Sequence, residues 1–406
     1  MKKAFIVFIS IALLTFISLF VIEHLCTEEL PDENIIGLEN DESENIEEEP
    51  IVIVKKEDQH FSMSVIGDIM CHNSQYKDAY ISSTGTYDFS YVFEDIKNYI
   101  SDADISVGNL ETTFAGKVRG YSNYPQFNTP EQLAYNLKDF GIDVVSTANN
   151  HSMDTYFSGI VSTLKYLDDA GISHVGTNAT AEDQNKILIK DVNGIKVAFL
   201  AFTYGTNGIP VPSDKSFAVN LIDDNFILNQ ISLAKEQSPD LICATMHWGY
   251  EYHTKQSTEQ ERLADLLFKN GVDVILGSHP HVLQPMEKRT VTLEDGSTKN
   301  CFVIYSLGNF MSGQTKVNTR NSIILNMNFT KSGETGKTNI DSVSYVPIYM
   351  YKSPSGNIKR YRVLDIEKTI QDYDSGINKS INQATYSTLK TELSKIRQIM
   401  GENIEF

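Results

Sequence analysis

Five short clusters of metal-ligand residue types recur along this chain, each directly behind an apolar run. They are Gly67-Asp68, Gly108-Asn109-Leu110-Glu111, Asn149-Asn150-His151, His247-Trp248-Gly249 and Gly277-Ser278-His279-Pro280-His281. Carboxylate, imidazole and amide oxygen together suit hard and borderline divalent cations. A strand end is a rigid place from which to aim such donors, and glycine beside them lets the backbone turn tightly and approach an ion. His279-Pro280-His281 is the sharpest cluster, because proline separates two imidazoles on an extended backbone. Taken singly the others are weaker. Asp68 reads as a turn residue, Asn109 and Glu111 as caps of the next segment, and His247 as a satisfied strand-end histidine. The five in order outweigh those readings.

The elements that must position these clusters are strands alternating with helices. Ser62 to Ile66 is a short strand, and Val92, Phe93, Ile96 and Ile100 share one helical face. Thr129 is an N-cap followed by Pro130 at the first helical position, opening a helix that runs to Phe140 and stops at Gly141. Ser257 with Gln260 fits a capping box, and that helix stops near Gly271. The stretches 140–145 and 270–275 repeat one phrase, a helix stop and then an apolar strand leading straight to histidines. This is the logic of βα units with function at strand ends. Asn193-Gly194 between apolar runs is a hairpin signal, so the sheet content is mixed. Further strands fall at 301–305, 323–327 and 346–351, and an amphipathic helix at about 378–400. Pattern alone gives an α/β fold with mixed sheet.

The ordered clusters resemble those of the calcineurin-like metallophosphoesterase superfamily: an Asp after the first strand, a bridging carboxylate, an Asn-His pair, a lone His and a Gly-x-His-x-His. The chain departs in three places. Asp68-Ile69-Met70 stands where Asp-x-His is usual, Glu111 where Asp is usual, and Asn149-Asn150-His151 where Gly-Asn-His is usual. Those departures, with Gly67 to Met70, His247 to Glu251, His279 to Val282 and Ser306 to Phe310, resemble the capsule-synthesis CapA family within that superfamily, over about His60 to Ile366.

The resemblance implies a metallophosphoesterase-like α/β/β/α sandwich. It implies two divalent metal ions (Mn, Fe or Zn) held by Asp68, Glu111, Asn150, His247, His279 and His281, with Glu111 bridging. His151 would be the acid or cation near the leaving group, and Asp154 is placed to orient a ring nitrogen. Two cations about 3.5–4 Å apart lower the pKa of a bridging water and stabilise an in-line displacement, and an imidazole can protonate the departing oxygen. His72 is a candidate replacement for the missing first-motif histidine, although its spacing is too long on an extended backbone. His174 fits an ordinary strand residue and His253 a pocket wall. Trp248 and Tyr124 to Phe127 read equally as core or as substrate wall. Ser306 and Asn309 belong to the motif with no role derivable from sequence.

Composition bounds the setting. The 406 residues carry a formal net charge of −19, which argues against a nucleic-acid partner, since phosphate neutralisation needs clustered Lys and Arg. The stretch 28–49 is acidic and holds neither Lys nor Arg. Lys2 and Lys3 precede an uncharged apolar run from Ala4 to Ile22, long enough to span a bilayer and followed by no small-residue cleavage site. The lysines keep the N-terminus inside. The expected organisation is a membrane anchor over 1–26, an acidic disordered linker over 27–59, a CapA-like metallophosphoesterase-like domain over 60–370, and a C-terminal helical extension over 371–406. The chain is therefore expected to be a single-pass cell-membrane protein with its catalytic domain extracytoplasmic. Cleavage or lipidation at Cys26 is the alternative. Cys71, Cys243 and Cys301 read as buried free thiols.

The resemblance also implies capsule or poly-γ-glutamate synthesis, an envelope polymer or poly-γ-glutamate as substrate, and a membrane synthesis or export complex as partner. Metal-dependent hydrolysis or transfer is the first reading. A non-catalytic accessory subunit and a binding module with a vestigial metal site are the alternatives. The chain has no Gly-rich phosphate loop with lysine, so an ATP-using ligase would be another chain.

Overall fold

The structure, a computed structural model, describes residues 56–293, 296–353, 360–377 and 381–406. The expected membrane anchor and nearly all of the acidic linker lie outside the described residues. No helix among the described residues is long and apolar enough to cross a membrane.

Two mixed sheets form the frame. In chain order the strands are β1 Gln59–Ile69, β2 Ile105–Leu110, β3 Val144–Ser146, β4 Ser173–Val175, β5 Leu188–Val192, β6 Ile195–Thr203, β7 Leu241–His247, β8 Val274–Ser278, β9 Leu283–Thr292, β10 Thr298–Leu307, β11 Asn309–Met311, β12 Asn321–Lys331, β13 Thr338–Lys352, β14 Tyr361–Asp365 and β15 Ile404–Glu405. The larger sheet runs β14-β13-β12-β1-β2-β3-β4, with β11 beside β1 and β15 beside β13; the smaller runs β9-β10-β8-β7-β6-β5. Strands β1 to β4 are mutually parallel, as are β6, β7, β8 and β10.

Side-chain alternation shows how the layers stack. On β1, Phe61, Met63 and Val65 join a core with Val197 and Phe199 of β6 and Leu241 and Cys243 of β7. The residues between them on β6 and β7, Ala198, Leu200, Ile242 and Ala244, pack outward on helices α3 (Asp224–Glu236) and α4 (Thr258–Lys269). The outer face of the larger sheet is covered by Leu133, Leu137 and Phe140 of α1 (Gln132–Phe140) and Leu167 of α2 (Tyr156–Ala170). The period of two that places a strand's residues on opposite faces thus builds four layers, helix, sheet, sheet, helix.

Local signals explain the elements. Helix α1 ends on Gly141 at φ 119, and α4 opens on the Ser257/Gln260 capping box. Asn193 (φ 54) and Gly194 (φ 84) both take the left-handed backbone that a two-residue hairpin between β5 and β6 requires. The C-terminal helix, Gln383–Met400, buries Leu389, Ile396 and Met400 on one face. Two expectations are corrected. Thr129 does not cap α1, which starts at Gln132 after Glu131; its Oγ1 pairs instead with Thr112 Oγ1 at 2.7 Å. Val92 to Ile100 is not one helix but two 3-10 turns, Ser90–Val92 and Glu94–Ile96, before a short helix Lys97–Ser101. Phe93 stacks on Phe140 at 4.8 Å and on Phe310 at 5.7 Å, and this packing selects the tighter turns over a continuous helix. Cys71, Cys243 and Cys301 are buried free thiols.

Candidate metal centre

The parallel strands of both sheets end toward one place. Asp68 lies at the end of β1, Glu111 one residue beyond β2, Asn150 and His151 after β3, His247 at the end of β7, and His279 and His281 after β8. All seven are buried. Carboxyl ends of strands are where α/β sheets place their sites.

Six of these side chains converge, with Glu111 at their centre. Glu111, His247 and His279 each bring a donor atom within 4.8 Å of the others, and Asp68, Glu111 and His281 do the same. Glu111 belongs to both groups. Its Oε1 lies 3.7 Å from His247 Nε2 and 3.8 Å from His281 Nε2, and among the described residues neither carboxylate oxygen has a hydrogen-bond partner. Asn150 Oδ1 sits 2.9 Å from His247 Nε2, adding an amide oxygen to the His247/His279 side.

The second nitrogen of two of the rings is held, whereas His279 Nδ1 is buried with no hydrogen-bond partner among the described residues. His247 Nδ1 meets Ser278 Oγ at 2.9 Å, and His281 Nδ1 meets Asn309 Oδ1 at 3.1 Å and Asp68 Oδ2 at 3.2 Å. Asn109 donates to Asp68 Oδ1 at 2.8 Å and fixes that carboxylate. Such outer contacts set ring orientation and tautomer. His279 (φ 97) and His281 (φ 59) both hold the left-handed backbone, on either side of Pro280. Non-glycine residues are strained there by about 1–3 kcal/mol each, and here that strain turns both imidazoles toward Glu111.

His151 and Asp154 form a separate pair. His151 Nδ1 lies 2.7 Å from Asp154 Oδ2, which also accepts the Phe127 N–H at 2.6 Å. His151 Nε2 is 3.5 Å from Asn207 Nδ2, and Asn150 Nδ2 donates to Asn207 Oδ1 at 3.2 Å. This amide bridge joins the pair to the six converging residues.

Burial governs the electrostatics. Desolvation raises the Glu111 carboxyl well above the ordinary range, and the charge of Asp68 adds to it. Burial likewise lowers His247 well below its ordinary value and His279 to about 3. His247 and His279 are thus neutral imidazoles with lone pairs available, facing a carboxyl group that nothing among the described residues pairs with. A buried, unpaired carboxylate is costly unless a cation meets it. The donor set of carboxylates, imidazoles and an amide oxygen fits divalent Mn, Fe or Zn, so the residues fit the ions that the sequence implies.

Other sequence readings resolve here. His72 belongs to neither donor group. Its Nδ1 accepts the Gly313 N–H at 3.0 Å, and its ring meets Phe127 edge-on at 5.2 Å. Met70, where the histidine is usual, is buried and its backbone pairs with Met311. Trp248 is core: it packs with Tyr305 and Leu263 and donates to the Tyr305 carbonyl at 2.9 Å. Phe127 is buried, whereas Tyr124 is 68 % exposed. His174 lies on β4 near Asp168, and His253 is exposed beside Tyr250. Asn309 braces His281, and Ser306 Oγ donates to the Val282 carbonyl behind the same loop.

Sequence reasoning missed Tyr204 and Asn207. The Tyr204 ring lies 4.5 Å from that of His279, and burial pushes its hydroxyl up to about 12. Both residues follow β6, so the strand-end rule that found the five clusters would have found them too.

Comparison with known proteins follows from this geometry. Residues 62–314 match the model of the family described as bacterial capsule synthesis protein PGA_cap. The chain is similar to "Capsule biosynthesis protein CapA" of Bacillus anthracis, 29% identical over 287 residues, spanning 68% of this chain and 66% of that protein. It is similar to "PGA biosynthesis protein CapA" of Bacillus subtilis (strain 168), 29% identical over 310 residues and 75% of each chain. Among solved structures, a calcineurin-like phosphoesterase from Bacillus subtilis is 16% identical, with TM-score 0.43, over 82% of this chain and 99% of that one.

Proposed function

Because the chain belongs to the bacterial capsule synthesis protein family PGA_cap, we propose that it is a two-metal-dependent hydrolase or transferase acting on an envelope polymer, with poly-γ-glutamate the first candidate, during capsule synthesis. One observation carries this reading: Glu111 is buried, unpartnered and shared by two donor groups. Asp68 and His281 would hold one ion with it, and His247, His279 and Asn150 the other. Two divalent cations would supply Lewis-acid activation of water and of the bond to be broken. The remaining chemistry belongs to the chain. Asp154 holds the His151 Nδ1 proton, which leaves Nε2 as the atom that exchanges a proton with the leaving group. Asn207 spans the gap between His151 and Asn150 and aligns the two. The apolar run 4–22 behind Lys2 and Lys3 supports a membrane anchor with the domain on the extracytoplasmic side, beside a synthesis or export complex.

A second reading is a non-catalytic accessory subunit. Its support is Met70, which leaves the Asp68/His281 side with three donors, whereas the other side has four. Elemental analysis of the protein, with assay on a generic phosphodiester and on poly-γ-glutamate, separates the two. Two transition-metal ions per chain with turnover of either substrate supports the enzyme. Bound metal with no turnover favours the accessory role. No metal after supplying Mn and Zn ends the two-metal reading.

A further inference from the structure

A path of contacts leads from the metal centre to a recess on one flank. His281 rests on Asn309, and Asn309 Nδ2 donates to Gln314 Oε1 at 3.2 Å. The loop carrying Gln314 passes His72 through Gly313 and reaches Arg320 at the start of β12. The Arg320 carbonyl accepts the Met350 N–H at 2.8 Å, which sets Arg320 beside the end of β13, where Lys352 emerges. Gln314, Thr315, Arg320, Lys352 and Tyr361 line the recess.

The cations here are arranged unlike those around them. Arg320 is half-buried, yet among the described residues its guanidinium has no hydrogen bond or ion pair. The Lys352 ammonium lies 5.1 Å from the Tyr361 ring centre, and among the described residues no carboxylate pairs with it. Lys316, on the same loop, sits 3.7 Å over the ring of Tyr252, which flanks His281. By contrast Arg360 faces Asp78 at 3.7 Å, and Arg362 pairs with Asp95. The chain has 53 acidic and 34 basic residues, so carboxylates are plentiful and these cations are left without them. A half-buried guanidinium fork with open donors matches a carboxylate or phosphate bidentately.

We propose that the mouth of this recess, whose interior of about 20 Å³ holds no more than a water, is an anion subsite of the metal centre, where Arg320 and Lys352 hold a carboxylate or phosphate group of a polyanionic substrate. The proposal rests on the polymer reading above. Strand spacing sets the reach: at the end of the sheet that carries Asp68, β11 lies between β1 and β12, so β12 and β13 are the second and third strands from β1, and at about 4.8 Å per strand the recess lies on the order of 10–15 Å from the donors. The group it takes therefore belongs to a neighbouring unit of the chain, not to the unit being cut. A γ-linked glutamate polymer carries one free carboxylate on every unit and meets that requirement.

Binding tests this without turnover. A short poly-γ-glutamate oligomer and an inorganic polyphosphate of similar charge are titrated against the purified full chain in detergent. The same is done with Arg320→Met/Lys352→Met and with Arg320→Lys. Metal content and Tm are measured on the same samples. Expected are binding by wild type, a loss of about tenfold or more in the double variant, an intermediate loss in Arg320→Lys, and unchanged metal and Tm. Tighter glutamate binding assigns a carboxylate polymer, and tighter polyphosphate binding a phosphate one. Wild type binding neither, or the double variant binding like wild type, overturns the subsite. Since the readout needs neither hydrolysis nor metal, failure of the hydrolase reading leaves this result standing.

Discussion

His151 Nδ1 and Asp154 Oδ2 lie 2.7 Å apart, and the backbone N–H of Phe127 reaches the same oxygen at 2.6 Å. Two donors on one buried carboxylate oxygen fix its direction, and with it the ring of His151. The Phe127 ring closes the other side, 4.8 Å from that of His151. Asp154 is thus placed to orient His151, and a carboxylate at Nδ1 favours the tautomer with its proton there.

Asp154→Asn should lower kcat by ~10²–10⁴-fold, the usual worth of a positioned general acid or base. Metal content should be unchanged and the pH–rate profile altered. His151→Ala should cost as much, and the double variant no more than either single, because the two act as a unit. Full additivity of the two losses would refute the pairing.

Glu111→Gln should remove both bound ions, whereas Asp68→Asn and His279→Ala should each remove one. Elemental analysis reads the stoichiometry directly. Supplying Mn should raise Tm in wild type, since ligand at about a hundred times Kd adds about 2.7 kcal/mol. Glu111→Gln should show no such rise, and retention of two ions by that variant would rule out a shared ligand.

Stability of the metal-free protein should fall on acidification in a defined window. Burial, and then the charges of His281 and His151, lower His72 from 6.5 to about 4. A depressed folded value means the stabilisation is complete above pH 6.5 and is lost as pH falls toward 4. Protonated Nδ1 can no longer accept the Gly313 N–H, so His72→Gln, whose amide oxygen can accept it, should remove the His72 share of this limb in urea melts from pH 7 to 4 and leave the share of the likewise depressed His247 and His279. Glu111 has the opposite sign: its raised value stabilises the metal-free fold at low pH, and that benefit is lost as pH rises through it. An acid limb identical in His72→Gln and wild type would count against the assignment.

Gly67 and Gly277 should tolerate no side chain. A Cβ on Gly67 would lie 2.0 Å from the Gly308 carbonyl oxygen, and one on Gly277 2.0 Å from that of Tyr305. Backbone must move in either case. Gly67→Ala and Gly277→Ala should each cost about 1–3 kcal/mol or more in urea unfolding and reduce metal binding, because Asp68 and His279 are their near neighbours. Wild-type stability in either variant would contradict the packing.

Much of the frame was legible because it is written locally. The Ser257/Gln260 capping box, the Gly141 stop and the Asn193-Gly194 hairpin each use contacts within a few residues. Val92 to Ile100 was misread because its apolar spacing is helical, while the long-range stacking of Phe93 on Phe140 and Phe310 selects two tighter turns. Asn309 and Ser278 were visible within motifs but had no role there, since each acts on a histidine from another segment.

The sequence by itself determined which residue types could bind metal, their order, their place at strand ends and the α/β class, because those follow from side-chain chemistry and short-range periodicity. Only the tertiary structure decided that Glu111 stands between two donor groups, that His72 turns to Gly313, that Trp248 is core, and that Arg320 and Lys352 line one recess with no carboxylate paired to either among the described residues. These are relations between segments from tens to 241 residues apart. They depend on how two sheets stack and on which strands neighbour one another, and no local pattern encodes that.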